Sequence, residues 1–237
     1  MNEKTLAVVL AHPDDESFPI GGTLARYAHE GVDVHLIVAT LGEAGISGKS
    51  AAEVAAIRRA ELQRACNELG VKQTHYLEFH DGRLAHTQDS LGHARLEAVL
   101  RRIAPDVVIT FGPDGISGHP DHVTVNRWST AVYDKLSKEA DGPGRLYYIA
   151  PSEATQQGCG IAPPAEAVGG PVAFIDVGDH LEEKVRAAQQ HASQNPPFDG
   201  DVKKEANKLA CHELFRLARP WQALNGPRTQ EDLFEAL

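Results

Sequence analysis

Thr5–Ala11 (TLAVVLA) is an almost unbroken apolar run, and it restricts the possible folds more than any other segment. A strand with one wet face alternates apolar and polar residues. A run without alternation belongs to a strand covered on both faces, as in a parallel sheet. Asp106–Phe111 (DVVITF) repeats the pattern, and Val32–Thr40 (VDVHLIVAT) mixes alternation with a β-branched run. Thr74–Phe79, Leu146–Ala150 and Val172–Val177 are further strand candidates. Between them lie helical segments with recognisable starts and stops. Gly21 opens one that runs to about Glu30 and ends at Gly31; Ser50 is the N-cap of Ala51–Leu69, which Gly70 closes. Helices are also expected over Leu91–Ile103, Asp121–Lys138, Leu181–Ser193 and Val202–Ala210. This alternation implies an α/β fold, an open twisted, mostly parallel sheet with helices on both faces. No repeat or linker divides the 237 residues, so a single domain is expected, with an irregular Pro- and Gly-rich excursion at Pro151–Pro171 that reads as a surface loop or a lid.

Composition narrows the function. A formal charge of −10 disfavours a nucleic-acid backbone or an anionic membrane as partner. Cys66, Cys159 and Cys211 are odd in number and far apart, which argues against a disulfide scaffold and a cysteine-based metal site. The opening MNEKTLAVVLA has too short an apolar run for a signal peptide or a membrane span, so a cytoplasmic location is expected. No GxGxxG follows the first strand, which weakens a dinucleotide-binding reading.

Two clusters carry the chemistry: His12-Pro13-Asp14-Asp15-Glu16 and His119-Pro120-Asp121-His122. Each begins His-Pro-Asp, follows an apolar strand, and offers a second ligand type three residues after its first histidine. Binding crevices in open α/β sheets lie beyond the carboxyl ends of the strands, where both clusters fall. A lone His or Asp in a loop is usually solvated or caps a helix. The joint occurrence reverses that reading, because a catalytic zinc takes three His or carboxylate ligands and keeps one position open.

HPDDE after one strand, GISGHPDH after another and Gly42-Glu43 after the strand between them resemble the PIG-L/LmbE-like family of zinc-dependent N-deacetylases. Arg58-Arg59-Ala60-Glu61, Asp81-Gly82 and His191-Ala192-Ser193-Gln194 extend the resemblance, with Glu213-Leu214-Phe215 a weaker echo. The resemblance implies a Rossmann-like fold and removal of the acetyl group from an N-acetylglucosamine-type substrate, a small amino sugar. It implies zinc bound by His12, Asp15 and His122, with Asp14 as general base and His119 as acid or oxyanion stabiliser. It further implies substrate contacts by Arg58, Asp81 and Glu43. Zinc chemistry suits the task, since a metal polarises the amide carbonyl and acidifies water. Iron, cobalt or manganese would also fit such ligands.

Other readings stand beside these. Arg58 could be an exposed arginine paired with Glu61 or Glu53, and Asp81 a turn residue. Asp121 either orients a ligand histidine or caps a helix; Glu16 does likewise or faces solvent. Among the remaining histidines, His191 is the one set apart from surface or packing roles. An amidase for a larger acyl or thiol-conjugated amide, and a non-catalytic metal- or sugar-binding module, are the alternative functions. The aglycone is left open, and a homo-oligomer is compatible with the sequence.

Overall fold

Apolar continuity in β1 (Thr5–Leu10) translates into complete burial: every residue from Leu6 to Leu10 is at most 1% exposed. The computed structural model describes residues 4–150, 172–198, 200–220 and 229–235, so the expected excursion at Pro151–Pro171 lies outside the described residues. The elements that follow β1 are α1 (Gly21–His29), β2 (Asp33–Thr40), α2 (Ala51–Glu68), β3 (Gln73–Phe79), α3 (Asp89–Ile103), β4 (Val107–Thr110), a helical turn α4 (Gly115–Gly118), α5 (Pro120–Leu136), β5 (Arg145–Ala150), β6 (Val172–Asp176), α6 (Leu181–Gln190), α7 (Val202–Ala206), β7 (His212–Arg219) and β8 (Thr229–Gln230). The eight strands form one sheet in the order β3-β2-β1-β4-β5-β7-β6-β8.

Strands β3, β2, β1, β4 and β5 are parallel neighbours; β7 runs antiparallel between β5 and β6, and β8 lies parallel to β6. Right-handed crossovers from β1 to β2 to β3 put α1 and α2 on one face; the return to β4 and on to β5 puts α3 and α5 on the other. The packing agrees, for α6 meets α1 and α2 while α3 meets α5. That change of direction makes β1 and β4 the switch point of the sheet, with a crevice at their carboxyl ends.

Local chemistry explains the helices that frame the crevice. A capping box starts α2: Ser50 Oγ accepts from Glu53 N, and Glu53 Oε2 accepts from Ser50 N at 2.9 Å. On the opposite face α3 and α5 approach closely at Gly92, where a Cβ would stand 2.3 Å from the buried Trp128 ring. Glu213 ties the antiparallel strand to the parallel part. Its carboxylate accepts from Gly22 N (3.0 Å) and Thr23 N (2.8 Å) at the start of α1, and Lys184 Nζ joins it at 2.6 Å.

Two expected helices end early, and one strand lies outside the expected set. The helix expected over Leu181–Ser193 ends at Gln190, followed by a 3₁₀ turn at Ala192–Gln194, because His191 and Asn195 leave helical geometry. That over Val202–Ala210 stops at Ala206. Strand β7 was not expected: buried Glu213 interrupts its inward row, and Arg216 and Arg219 occupy outward positions, so HELFRLAR lacks an apolar signature.

Candidate metal centre and catalytic groups

The loop after β1 and the first turn of α5 meet beyond the switch point. His122 is fixed by stacking on Phe111, with ring centroids 4.0 Å apart and planes at 6°. Its Nδ1 lies 3.0 Å from the Gly115 carbonyl, which can only accept. Nδ1 therefore carries the proton, and Nε2 keeps its lone pair. His12 shows the complementary tautomer. Its Nε2 faces Asp81 Oδ1 at 3.0 Å and Asp121 Oδ2 at 3.3 Å, so Nε2 is the donor and Nδ1 turns its lone pair inward. These two lone pairs, His12 Nδ1 and His122 Nε2, stand 3.3 Å apart. Asp15 brings its carboxylate to the same point, 3.4 Å from His122 Nε2 and 3.6 Å from His12 Nδ1.

Such a convergence needs a positive charge between the acceptors: a proton on His12 Nδ1 when no metal is bound, or a metal ion that takes that proton's place. Burial disfavours a charged His12, yet its bonds to Asp121, Asp15 and Asp81 prevail and carry its pKa to about 12. Burial likewise opposes the Asp15 anion, but His122 and His12 pull its pKa down to about 2. The donor set thus fits a divalent metal: two imidazole nitrogens with fixed tautomers and one ionised carboxylate. His119 is near as well, since one nitrogen from each of His12, His119 and His122 lies within 4.8 Å of the others. Its Nδ1, however, accepts from Asp121 N at 3.2 Å as the N-cap of α5. The neutral ring is left with an Nε2–H and no free lone pair, a donor rather than a ligand. Burial, then the charges of His12 and His122, lower the His119 pKa and favour that neutral form.

Asp121 is fully buried and reaches away from its own helix. Besides His12 it accepts from Gly82 N (2.8 Å) and Leu84 N (3.1 Å), which fixes it as the orienting partner and leaves no capping role. Asp81, expected to meet a sugar hydroxyl, spends its oxygens on His12 and on Ala44 N (3.1 Å). Glu43 Oε1 accepts from Asp81 N at 2.9 Å, so the loops after β2 and β3 are laced together behind His12. Burial opposes the Asp81 and Asp121 anions, but the hydrogen bonds from His12 outweigh it and hold both carboxyls below their ordinary pKa.

Asp14 points elsewhere. The backbone there has φ 108°, which splays its side chain away from Asp15 and toward Arg58 Nη2, 3.1 Å distant. Burial and the neighbouring Asp15 charge raise its pKa, Arg58 opposes them, and the result is about 7. Arg58 is only 4% exposed, which removes the reading of a solvent-facing ion pair. It donates to the Pro13 and Gly42 carbonyls and to Asp14, joining the loops after β1 and β2. Gly42 is required here: its φ is +63°, and a Cβ would lie 1.9 Å from Arg58 Nη1.

Sequence reasoning missed how the late His-Ala-Ser-Gln element closes on this site. Ser193 N and Oγ donate to Glu61 at 2.9 and 2.7 Å, and His191 Nε2 meets Glu16 Oε1 at 2.6 Å. Glu16 is fully buried, so the solvent-facing option is excluded. The two motifs were visible, but their pairing across the chain was not.

Fold and site together define an α/β protein with a histidine–carboxylate centre at the switch point of its sheet. The sequence profile of the PIG-L family, described as GlcNAc-PI de-N-acetylase, matches residues 7–133, and the chain belongs to this family. It is similar to the 1D-myo-inositol 2-acetamido-2-deoxy-alpha-D-glucopyranoside deacetylase of Rhodococcus opacus (strain B4), at 32% identity covering 82% of each chain. Its counterpart in Mycobacteroides abscessus is 33% identical, covering 92% of this chain and 89% of that one. Among solved structures, N,N'-diacetylchitobiose deacetylase from Pyrococcus horikoshii shares the fold, with TM-score 0.67, 24% identity and coverage of 91% and 84%. So does the 4-carboxy-2-hydroxymuconate hydratase GalB from Pseudomonas putida KT2440 (TM-score 0.64, 21% identity, 97% and 99% covered). A hydratase on the same fold shows that the site, not the fold, must carry the functional argument.

Proposed function

We propose that this chain removes the acetyl group from an N-acetylglucosamine-type substrate, holding zinc through His12 Nδ1, Asp15 and His122 Nε2. The observation that carries the reading is the meeting of two imidazole lone pairs and a carboxylate beside a carboxyl group with a pKa of about 7. When bound, the metal supplies Lewis acidity, polarising the amide carbonyl and acidifying water. Asp14 then takes the proton from water; its pKa is matched to that task near neutrality. The Nε2–H of His119 donates to the oxyanion that develops on the carbonyl oxygen. Asp14, now protonated, passes its proton to the departing amine. Arg58 holds Asp14, Asp81 and Asp121 hold His12, and Glu43 holds Asp81. We assign these residues to positioning on the hydrogen bonds they make within the protein, while Glu43 Oε2 and Arg58 Nε have no partner among the described residues and stay available to substrate. Asp121→Asn is expected to weaken metal affinity about 10- to 100-fold, read by competition with a chromophoric chelator; unchanged affinity would refute the orienting role.

The similarity to inositol-conjugate deacetylases makes N-acetylglucosaminyl-inositol the substrate we propose first. The test is amine release by the zinc-loaded chain from that conjugate, from free N-acetylglucosamine and from N,N'-diacetylchitobiose. We expect the inositol conjugate to be fastest. Inactivity on all three with zinc bound would overturn the proposal in favour of a larger amide. A cytoplasmic setting belongs to the same proposal, in keeping with free thiols at Cys66 and Cys211. Among the described residues no helix is long and apolar enough to cross a membrane.

A further inference from the structure

Asp14 holds a backbone conformation that a residue with a side chain rarely adopts, φ 108°. Such strain persists only where the surroundings over-determine it. The restraints come from two sides. Its carbonyl accepts from Ser17 N at 3.0 Å, and its N–H donates to Glu16 Oε2 at 2.9 Å. Glu16 is itself 0% exposed, so its aim depends on what holds its other oxygen. Glu16 Oε1 accepts from Ser17 Oγ and from His191 Nε2 at 2.6 Å. His191 is also 0% exposed, 175 positions further along the chain, in the turn that follows α6. Its Nδ1 has no hydrogen-bond partner among the described residues, which leaves Glu16 as the polar contact of the ring.

A buried histidine with its one polar bond spent on a buried carboxylate, which in turn holds the strained peptide of Asp14, forms a single line of force. We propose that His191 is a positioning residue for the hydrolytic base. Through Glu16 it fixes the Asp14 peptide and so aims the Asp14 carboxylate. The proposal rests on the reading of Asp14 as base. It assigns His191 no contact with metal or substrate.

His191→Gln and His191→Asn separate this role from a merely structural one. A glutamine amide nitrogen reaches the place of Nε2, whereas that of asparagine falls near Nδ1 and cannot reach Glu16. With both variants zinc-loaded and assayed for amine release from N-acetylglucosaminyl-inositol, Asn is expected to lower kcat about 10- to 100-fold. Its KM should stay within about two-fold and its metal content unchanged. Gln is expected to restore kcat to within about three-fold of wild type. A folded Asn variant at wild-type kcat overturns the proposal, as does loss of metal along with rate, or equal loss in Asn and Gln. Should neither fold, Glu16→Asp carries the test by withdrawing the carboxylate from Asp14 N: reduced kcat at constant KM supports the proposal, and unchanged kcat overturns it. Asp14→Asn, run alongside, distinguishes the two readings. If it turns over at the wild-type rate, the base assignment fails. If it is inactive while His191→Asn is as fast as wild type, only the positioning role fails.

Discussion

Asp14→Asn is expected to keep its metal and lose about 100- to 10,000-fold in kcat, the range of a general base removed from a hydrolytic step. The substitution suits its site unusually well. Asn tolerates positive φ better than other residues with a side chain, so the conformation at φ 108° is not further strained. Its amide oxygen can still accept from Arg58 Nη2, where Asp14 accepts at 3.1 Å. What disappears is the ability to take a proton. Metal content and melting temperature should therefore match wild type while amine release collapses. A variant that hydrolyses within about two-fold of wild type would place the base elsewhere. The pH profile gives a second reading of the same group. A base works ionised, so activity rises with pH through its pKa, which burial and Asp15 bring to about 7. A dication at the His12–His122 point favours the Asp14 anion, moving the acidic limb below pH 7. Asp14→Asn should abolish that limb.

His12→Ala is expected to lose metal and activity together, falling to the rate of the chelator-treated chain. It removes the lone pair of Nδ1 and also the Nε2–H that faces Asp81 and Asp121. Removing one partner of a buried ionic pair leaves the other uncompensated, a cost of about 3–5 kcal/mol. Here the lower end applies, because Asp121 keeps Gly82 N and Leu84 N, and Asp81 keeps Ala44 N. Urea unfolding of metal-free proteins measures this term without the stabilisation that binding itself adds. His119→Ala is the counterpart and should keep its metal while losing rate. If His119→Ala came out metal-free and Asp15→Ala did not, a three-histidine centre would replace the one proposed.

The parts of this site legible in the sequence are those that depend on short spacing. His12 and Asp15, like His119 and His122, sit three residues apart just past apolar strands, and sheet topology carries both pairs to one edge. Ser50 as the cap of α2 was equally readable, since a capping box is local. What was hidden depends on distance along the chain. Asp81 and Asp121 share one imidazole proton, yet they come from the loop after β3 and from α5. Arg58 allowed two readings, a substrate contact or an exposed pair with Glu61 or Glu53, because helix position alone does not show burial; its burial arises from Gly42, whose missing side chain admits the guanidinium. Strand β7 went unseen for a related reason. Glu213 occupies an inward position because α1 and Lys184 supply partners for it, and no local pattern encodes that arrangement.

The placement of the chemistry along the polypeptide has a further consequence. Each residue proposed to hold metal or move a proton comes before residue 123, and the family match ends at residue 133. Later segments return to that half through α6, packed on α1 and α2, and through buried polar contacts, among them His191 on Glu16, Ser193 on Glu61 and Glu213 on the start of α1. A chain divided this way keeps its reacting groups in one stretch and part of what aims them in another. A substitution at His191, Ser193 or Glu213 therefore reaches the reacting half without touching a residue proposed to hold metal or move a proton.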